Sequence, residues 1–282
     1  MKIGLLTLAV ELFNNKTFSH VNNIMDMGNK SIRASYDDLN YLFEQGNINF
    51  NEKKFSFLKK FPRGNRKSMK IFWEALGVNN YHCIDLNGKD NSIKFDLNNP
   101  YNDKKHLNKY DLVTDIGNNE HVFNVGEAYK TMYNLCNVNG YMWIFQSVYN
   151  GNGFFNYDIS FFEGFALANE LGIVYSAYVV NTSEYDQYLI PADKELFNVI
   201  NLNKVTSIDI TYIFKKNFNK KFRYYNQYQY GKKTTKYNIS FLHNKFPPER
   251  YYIPTDIIKK NHDSKQKKYI KEWLRRVGKE NN

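Results

Sequence analysis

Acidic residues stand at the end of several short apolar segments of this chain. Asp26, Asp85, Asp96 and Asp115 close the segments VNNIMD, NYHCID, SIKFD and DLVTD. If these segments are parallel strands, their carboxyl ends meet at one edge of a sheet, which is where ligands bind in such folds. Ionised carboxylates accept hydrogen bonds from hydroxyl and amino groups and favour cations. The acids therefore predict a site for a ligand carrying such groups, although each could also be a solvated strand end.

Glu120 and His121 follow the fourth of these segments and are the best candidates for catalysis. Imidazole titrates near neutrality, so His121 is predicted to act as a general base with Glu120 as its neighbour. In the alternative interpretation, Glu120 caps the next helix and His121 has a structural role. A Glu/His metal site would need further ligands at suitable spacing, which the sequence lacks, so no metal is predicted.

Gly28 comes directly after the first acidic segment, in DMGN. A glycine in this place lets the backbone turn sharply and approach a ligand without a Cβ. The GxGxxG pattern of dinucleotide folds is absent, and GNKS has neither the upstream glycine nor the GK[ST] order of a phosphate loop. Neither nucleotide-binding motif is therefore present.

Apolar runs alternate with helical spacing around these residues. In 110–148 an apolar run, the three-to-four spacing of Ala128, Met132 and Leu135, and a second run after a predicted turn at Gly140 indicate a β-α-β crossover. Strands are predicted within 21–27, 80–85, 92–96, 111–115, 141–147, 173–180 and 205–214. Helices are predicted at 36–45, 68–76, 125–136 and 159–171, the last one stopped by Gly172. The pattern is typical of an α/β fold with a mostly parallel sheet.

The chain has 282 residues, of which 42% are hydrophobic, enough for one α/β core. Cys83 and Cys136 lie in apolar contexts and are predicted to be reduced core residues. The longest apolar run, near 3–10, is shorter than the ~20 residues that a membrane span needs. It also lacks a signal-peptide cleavage pattern, so a cytoplasmic protein without a membrane span is expected.

The formal net charge is +11, and part of it is concentrated in two segments, 215–233 and 259–279. In the first segment basic residues interleave with aromatic ones, a pattern that can stack bases and hold phosphates, so nucleic acid is one candidate partner. In the alternative interpretation the charges form a solvated face, and the apolar stripe of the second segment docks on the body of the protein.

The segments DMGN, CIDLNG, IKFDLNNP, YDLVTDIGNNEHVFNV and NVNGYMWI resemble, in order, the successive motifs of class I S-adenosylmethionine-dependent methyltransferases. The resemblance covers about 21–180, and its EHVFN and DLN-P blocks are most similar to a group of small bacterial and viral methyltransferase-like proteins. It implies a Rossmann-like, seven-stranded sheet that is mostly parallel with the last strand antiparallel, and helices on both faces. It also implies S-adenosyl-L-methionine as the cofactor.

The resemblance further implies a role for each matching residue. Asp26, Gly28 and Asn29 would lie beside the methionine part of the cofactor, and Asp85 would accept hydrogen bonds from both ribose hydroxyls. Asp96 and Leu97 would bracket the adenine, with Asp96 accepting from its exocyclic amine, and Asp115 to Asn118 would line the wall beneath the sulfonium. The remaining members of the implied cofactor-binding set are Leu86, Ile116 and Gly117.

The sequence departs from the family's pattern in three places. Asn29, Lys30 and Ser31 stand where further glycines are usual, and Asn152 stands where a histidine commonly precedes the second glycine of GNGFFNY. The distance from Asp26 to Asp85 is also long, which predicts an insertion at about 47–66. The expected organisation is an N-terminal cap at 1–20, a methyltransferase domain at 21–214 and a basic aromatic extension at 215–282.

The expected function is methyl transfer from S-adenosylmethionine to an oxygen or nitrogen nucleophile of a small molecule or a glycan. Alternatives are a nucleic-acid methyltransferase and a non-catalytic binding module on a methyltransferase scaffold. Phe161, Phe162 and Phe165 could form an aromatic substrate wall together with 151–157, or could be core residues of a helix. The sequence does not indicate an oligomeric state.

Overall fold

The computed structural model describes residues 1–49, 51–59, 68–183 and 187–225. Within these ranges eight strands form one sheet in the order β3-β2-β1-β4-β5-β8-β6-β7. The strands are β1 Asn23–Met27, β2 Asn80–Asp85, β3 Ile93–Lys94, β4 Tyr110–Ile116, β5 Cys136–Tyr149, β6 Gly172–Asn181, β7 Gln187–Pro191 and β8 Ser207–Lys215.

The strand directions confirm a mostly parallel, Rossmann-like sheet. β1, β2, β3, β4 and β5 run parallel to one another, and β8 lies between β5 and β6 and runs antiparallel to both. The last strand is therefore antiparallel, as expected. The expected number of seven strands is wrong by one, because part of the excursion after β6 forms β7 and pairs antiparallel with β6.

Helices cover both faces of the sheet, as expected. They are α1 Ile3–Asn14, α2 Tyr36–Gln45, α3 Glu52–Phe55, α4 Ser68–Ala75, α5 Val125–Leu135, α6 Ile159–Asn169 and α7 Lys194–Val199, with 3-10 turns at Ser56–Lys59, Asn119–His121 and Leu202–Lys204. Successive strand residues point to opposite faces, so β5 contributes Met142 to one core and Trp143 to the other. The first core contains α5 and α6, and the second contains α1, α2 and α4.

Local sequence signals explain both ends of α2. Ser35 begins α2 with a capping box, accepting from the Asp38 backbone N–H while its own N–H donates to the Asp38 carboxylate. Gly46 ends the same helix. At α6 the prediction is wrong, because Glu170 takes the left-handed conformation with φ 53° and ends the helix, whereas Gly172 begins β6.

Gly140 is not the predicted turn. α5 passes directly into β5 at Cys136, and Gly140 lies inside that strand. The pairing with β4 shifts register between Tyr110 and Leu112, and a Cβ at Gly140 would lie 3.0 Å from the Tyr110 carbonyl oxygen. Glycine is therefore needed for the close approach of two backbones at an irregularity in the sheet.

The described residues also bear on several smaller predictions. Cys83 and Cys136 are free and buried, as predicted. The helix α1 lies in the predicted cap and is largely buried, while the described part of the predicted insertion contains α3. Most of the basic extension, 226–282, lies outside the described residues, so the division into domains stays a prediction. Among the described helices, none combines the length and apolar composition that a membrane span requires.

Candidate functional site

The carboxyl ends of β2, β1 and β4 bring three of the predicted acids to one level of the sheet. Asp26 pairs with Cys83 of β2 on one side and with Thr114 of β4 on the other. Asp85 and Asp115 follow these partners closely, and neighbouring strands lie about 4.8 Å apart. The register therefore places Asp26, Asp85 and Asp115 along one short stretch of the carboxyl edge.

Asp26 is buried within this edge. Its carboxylate accepts a hydrogen bond of 2.7 Å from the Tyr81 hydroxyl and another from the Thr114 hydroxyl. Burial raises the pKa of Asp26, and the two hydroxyl donors oppose this shift. Asp26 therefore holds β1 to its two neighbours at the base of the site.

Gly28 allows the first loop to fold tightly over the strand ends. It has φ +84°, and a Cβ there would lie 2.3 Å from the Asn118 side-chain oxygen. Its N–H donates to the Ile84 carbonyl at 2.7 Å, and the Asn29 N–H donates to the Asp85 carboxylate at 3.0 Å. The predicted residues Gly28, Asn29 and Asp85 are thus in direct contact.

Asp85 has a neighbour suited to an apolar ligand. One carboxylate oxygen accepts from Asn29 and the other from the Asn87 N–H at 3.0 Å. Leu86 is 67% exposed at the carboxyl end of β2. A carboxylate beside an exposed apolar side chain can accept from hydroxyls while the leucine contacts a flat apolar group.

Asp96 and Leu97 are placed differently. The Asp96 carboxylate accepts from the Asn98 N–H at 3.0 Å and from the Asn98 side-chain amide at 2.8 Å, and these bonds lower the pKa of Asp96. Leu97 is 6% exposed and belongs to the core beneath α5. Asp96 thus stabilises its own turn further out on the edge, and Leu97 is chiefly a packing residue.

Asp115 is fully buried at the end of β4. Its carboxylate accepts from the N–H groups of Asn118 at 3.2 Å and Asn119 at 3.1 Å and from the Gln146 side-chain amide. Burial raises the pKa of Asp115 to about 7, against the opposing charge of Lys30. Ile116 is buried next to it, and Gly117 turns the chain with φ +64°. These bonds set the shape of the loop after β4.

Lys30 supplies a positive charge among the acids. Its ammonium nitrogen would lie 3.0 Å from a Cβ on Gly28, so the side chain folds back over the first loop. Burial lowers the pKa of Lys30, and the charges of Asp115, Asp26, Asp85 and Glu120 oppose this shift in that order. The four carboxylates and one ammonium therefore share a single electrostatic environment.

The side chains of Glu120 and His121 lie next to each other. The His121 Nε2 lies 3.5 Å from the Glu120 carboxylate, and the His121 side chain is 46% exposed. Glu120 also accepts from the Ser147 N–H at 2.8 Å, while its own N–H donates to Gln146 at 3.1 Å. Its carboxylate thus bonds to β5 and not to the start of α5, so the alternative capping interpretation is wrong.

The GNGFFNY segment packs directly on this acid. A Cβ at Gly153 would lie 2.7 Å from the Glu120 carbonyl oxygen, and one at Gly151 would lie 2.0 Å from the Ser147 hydroxyl. The Phe154 N–H donates to the Glu120 carbonyl at 2.7 Å.

Of the three phenylalanines proposed as a substrate wall, Phe162 and Phe165 are fully buried core residues, whereas Phe161 is partly exposed.

Gln146 is a site residue that the sequence interpretation missed. Its side chain donates to Asp115 and accepts from the Glu120 N–H, so it joins the two acids. The available signal was a glutamine and a serine at the end of an otherwise apolar strand, in IFQSV. Within the described ranges, the histidines, cysteines and acids form no cluster able to hold a metal ion.

Comparisons with known proteins give the following similarities. No protein-family profile matches the chain, and no curated protein matches it. Among solved structures it is similar to MccD protein (12% identity, 72% of this chain and 96% of that one, TM-score 0.30). It is also similar to StiE O-MT residues 961–1257 (13%, 76% and 75%, TM-score 0.36) and to a TehB-like SAM-dependent methyltransferase from Corynebacterium glutamicum (12%, 73% and 87%, TM-score 0.31). The fold assignment itself rests on the strand order and directions described above.

Proposed function

We propose that the chain is an S-adenosylmethionine-dependent methyltransferase that acts on an oxygen or nitrogen nucleophile of a small molecule or a glycan. Two hydrogen bonds at one edge of a Rossmann-like sheet carry this proposal. One connects the first loop to the Asp85 carboxylate, and the other connects the Glu120 carboxylate to β5. In such sheets this edge is where nucleotide ligands bind.

The residues present fit the cofactor. An ionised carboxylate offers about four lone-pair sites, and Asp85 uses one on each oxygen for a backbone N–H. The remaining sites can accept from a ribose diol, and exposed Leu86 can contact an adenine ring. Gly28 lets the first loop pack closely over the strand ends, and the surrounding acids favour a positively charged sulfonium.

The chain's own contribution to methyl transfer is alignment and proton removal. When bound, S-adenosylmethionine supplies a methyl group that is already activated for displacement. Glu120 is held by Ser147 and Gln146, so its position is fixed, and it lies 3.5 Å from the half-exposed His121. We assign to His121 the removal of the acceptor's proton, with Glu120 orienting the imidazole.

The charge at the edge favours a small-molecule or glycan acceptor over nucleic acid. The carboxylates of Asp85 and Glu120 lie at this edge with Lys30 and would repel a phosphodiester backbone close to the methyl group. The basic segment 259–279 and residues 226–233 of the other basic segment lie outside the described residues, whereas 215–225 lie within them. A steep salt dependence of retention on RNA or DNA would favour the nucleic-acid alternative.

Calorimetry with S-adenosylmethionine tests the proposal. The unchanged chain is expected to bind, and Asp85→Ala is expected to abolish binding because it removes the acceptor for the ribose hydroxyls. Asp90→Asn is the matched control, since it also removes one negative charge but lies exposed in the next turn. No heat with the unchanged chain would favour the non-catalytic binding module, and equal affinity in Asp85→Ala would remove the ribose assignment.

A further inference from the structure

Three tyrosines from separate parts of the chain surround Phe161 of α6. The ring centre of Phe161 lies 5.2 Å from that of Tyr129, 4.8 Å from that of Tyr157 and 5.5 Å from that of Tyr225. Tyr129 belongs to α5, Tyr157 lies just before α6, and Tyr225 lies in the segment that follows β8. The fold therefore brings three phenol groups together that are far apart in sequence.

The hydroxyls of all three tyrosines are buried, and none has a hydrogen-bond partner in the described part of the chain. The ring centres of Tyr129 and Tyr157 lie 6.5 Å apart and each phenol affects the pKa of the other, but neither hydroxyl has a hydrogen-bond partner within the described ranges. A buried hydroxyl without a partner destabilises a protein. One turn further along α5, the Tyr133 hydroxyl donates to the Lys220 carbonyl at 3.0 Å, so this fold does satisfy a neighbouring phenol.

The phenols lie on the side of the molecule that carries the candidate site. α5 begins after the carboxyl end of β4 and α6 begins after that of β5, so both helix N-termini are at this edge, and long helical side chains lean toward the N-terminus. Burial is the main reason that the pKa values of Tyr129 and Tyr157 are raised, and the negative charge of Asp115 raises both further. Both phenols are therefore neutral and can donate a hydrogen bond.

Two further polar groups in the same region are also buried without a partner among the described residues. They are the side-chain amide nitrogen of Asn119 and the hydroxyl of Ser147. Asn119 follows Asp115 in the loop after β4, and the Ser147 backbone holds Glu120. Unpartnered groups therefore come from the β4 loop and β5 as well as from the tyrosine cluster.

We infer that Tyr129, Tyr157 and Tyr225, with Asn119 and Ser147, form the acceptor-binding site, and that its ligand is an uncharged molecule bearing several hydroxyls. This inference rests on the proposed function and names the acceptor of that site. Phenol and serine hydroxyls both donate and accept, as sugar and polyol hydroxyls do, so the two sets complement each other. An apolar acceptor would leave these groups unpaired, and an anionic acceptor would be repelled by Glu120.

Thermal unfolding of the ligand-free chain tests whether the Tyr129 hydroxyl lacks a partner within the protein. Tyr129→Phe removes an unpartnered hydroxyl and is expected to leave Tm unchanged or to raise it. Tyr133→Phe is the matched control in the same helix, and it is expected to lower Tm because its hydroxyl is bonded to Lys220. A fall in Tm for Tyr129→Phe equal to that of the control would show that its hydroxyl is satisfied within the protein and would overturn the inference.

Saturation-transfer NMR tests whether the site binds an uncharged molecule with several hydroxyls. The sample is the full chain with an excess of S-adenosylhomocysteine. The probes are the methyl α-glycosides of glucose, galactose and mannose, with glucose 6-phosphate as the anionic comparison. We expect transfer to at least one glycoside, little to the phosphate, and roughly tenfold weaker glycoside binding in Tyr129→Phe than in Tyr133→Phe.

Two results would contradict this expectation in different ways. If S-adenosylhomocysteine binds but no glycoside receives saturation, or if Tyr129→Phe and Tyr133→Phe bind glycosides equally, the acceptor site is overturned and the proposed function stands. If calorimetry shows no S-adenosylhomocysteine binding to the unchanged chain, the proposed function and the acceptor site fall together.

Discussion

Two charged side chains at the amino end of the parallel strands are fully hydrogen-bonded, whereas several polar groups at the carboxyl end are not. At the amino end, Asp111 accepts from the N–H groups of Asn22 and Asn23, each at 2.9 Å, and from the side-chain amides of Asn23 at 3.1 Å and Asn137 at 2.7 Å. Its carboxylate is therefore fully used in joining β1, β4 and β5. Such a group stabilises the sheet and offers nothing to a ligand.

Lys216, also at the amino end, is equally well satisfied. Its buried ammonium donates to the Asn108 side chain at 3.0 Å and to the carbonyls of Tyr133 at 2.9 Å and Cys136 at 2.8 Å. It thereby pairs carbonyls at the end of α5, which are otherwise left without partners at a helix C-terminus.

At the carboxyl end, polar groups are buried without this satisfaction. Asn119, Ser147, Tyr129 and Tyr157 each keep a buried polar atom unpartnered within the described ranges, while Lys30 lies among four carboxylates. Each unpaired buried group costs about 1–3 kcal/mol. Asp111 and Lys216 at the amino end are fully paired, and this contrast supports the proposal that the carboxyl end is shaped for a ligand.

The largest expected effect is the loss of the Asp111 hydrogen bonds at the amino end of the strands. Asp111→Ala removes four hydrogen bonds and is expected to lower the free energy of unfolding by about 3 kcal/mol. Urea unfolding measures this loss, and calorimetry on the folded variant should show unchanged S-adenosylmethionine affinity. A variant of normal stability with weakened cofactor binding would reverse the roles of the two ends.

A second effect, on pH dependence, concerns the carboxyl end. Burial raises the pKa of Asp115 to about 7, above the ~3.9 of aspartate in an unfolded chain. Between these values the native chain holds a proton that the unfolded chain has released, so this group makes the unfolding free energy fall as pH rises. Burial likewise raises the pKa of Asp209 to about 7.

Asp115→Asn should flatten this part of the stability profile by on the order of 2 kcal/mol between pH 4 and pH 7. Urea unfolding at a series of pH values provides the measurement, with Asp90→Asn as a control at an exposed acid. If the control flattens the profile as much as Asp115→Asn does, the burial of Asp115 is not the cause.

The smallest expected effect sharpens the role of Lys30. Its ammonium should repel the sulfonium of S-adenosylmethionine but not the uncharged thioether of S-adenosylhomocysteine. Lys30→Met is therefore expected to raise the affinity for the first relative to the second by up to roughly tenfold. Calorimetry with both ligands measures the ratio, and Lys89→Met, at an exposed lysine, is the control. An equal change in both affinities would mean that Lys30 instead contacts a part of the molecule that the two ligands share.

Most of the fold is predictable because local signals agree with its tertiary context. The strand Asn80–Asp85 and the helix Tyr36–Gln45 have the bounds that their apolar pattern and their capping residues indicate. β7, Gln187–Pro191, has a weaker signal, because it is short and ends in proline, and it forms only by pairing with β6 at the edge of the sheet.

The site is only partly predictable. Strand-end acids such as Asp85 and Asp115 can be identified because parallel strands share one edge. Gln146 and Tyr129 cannot, since their role depends on strand register and on which side of α5 faces the sheet. Asp96 is the opposite case. It is an acid at a strand end, but its carboxylate accepts a hydrogen bond within its own turn.

The most direct test of the central claim is a crystal structure of the chain with S-adenosylhomocysteine. The account predicts the ribose hydroxyls within hydrogen-bonding distance of the Asp85 carboxylate, and the sulfur between the first loop at Gly28 and the β4 loop at Gly117. A nucleoside bound away from the carboxyl ends of β1, β2 and β4 would contradict it.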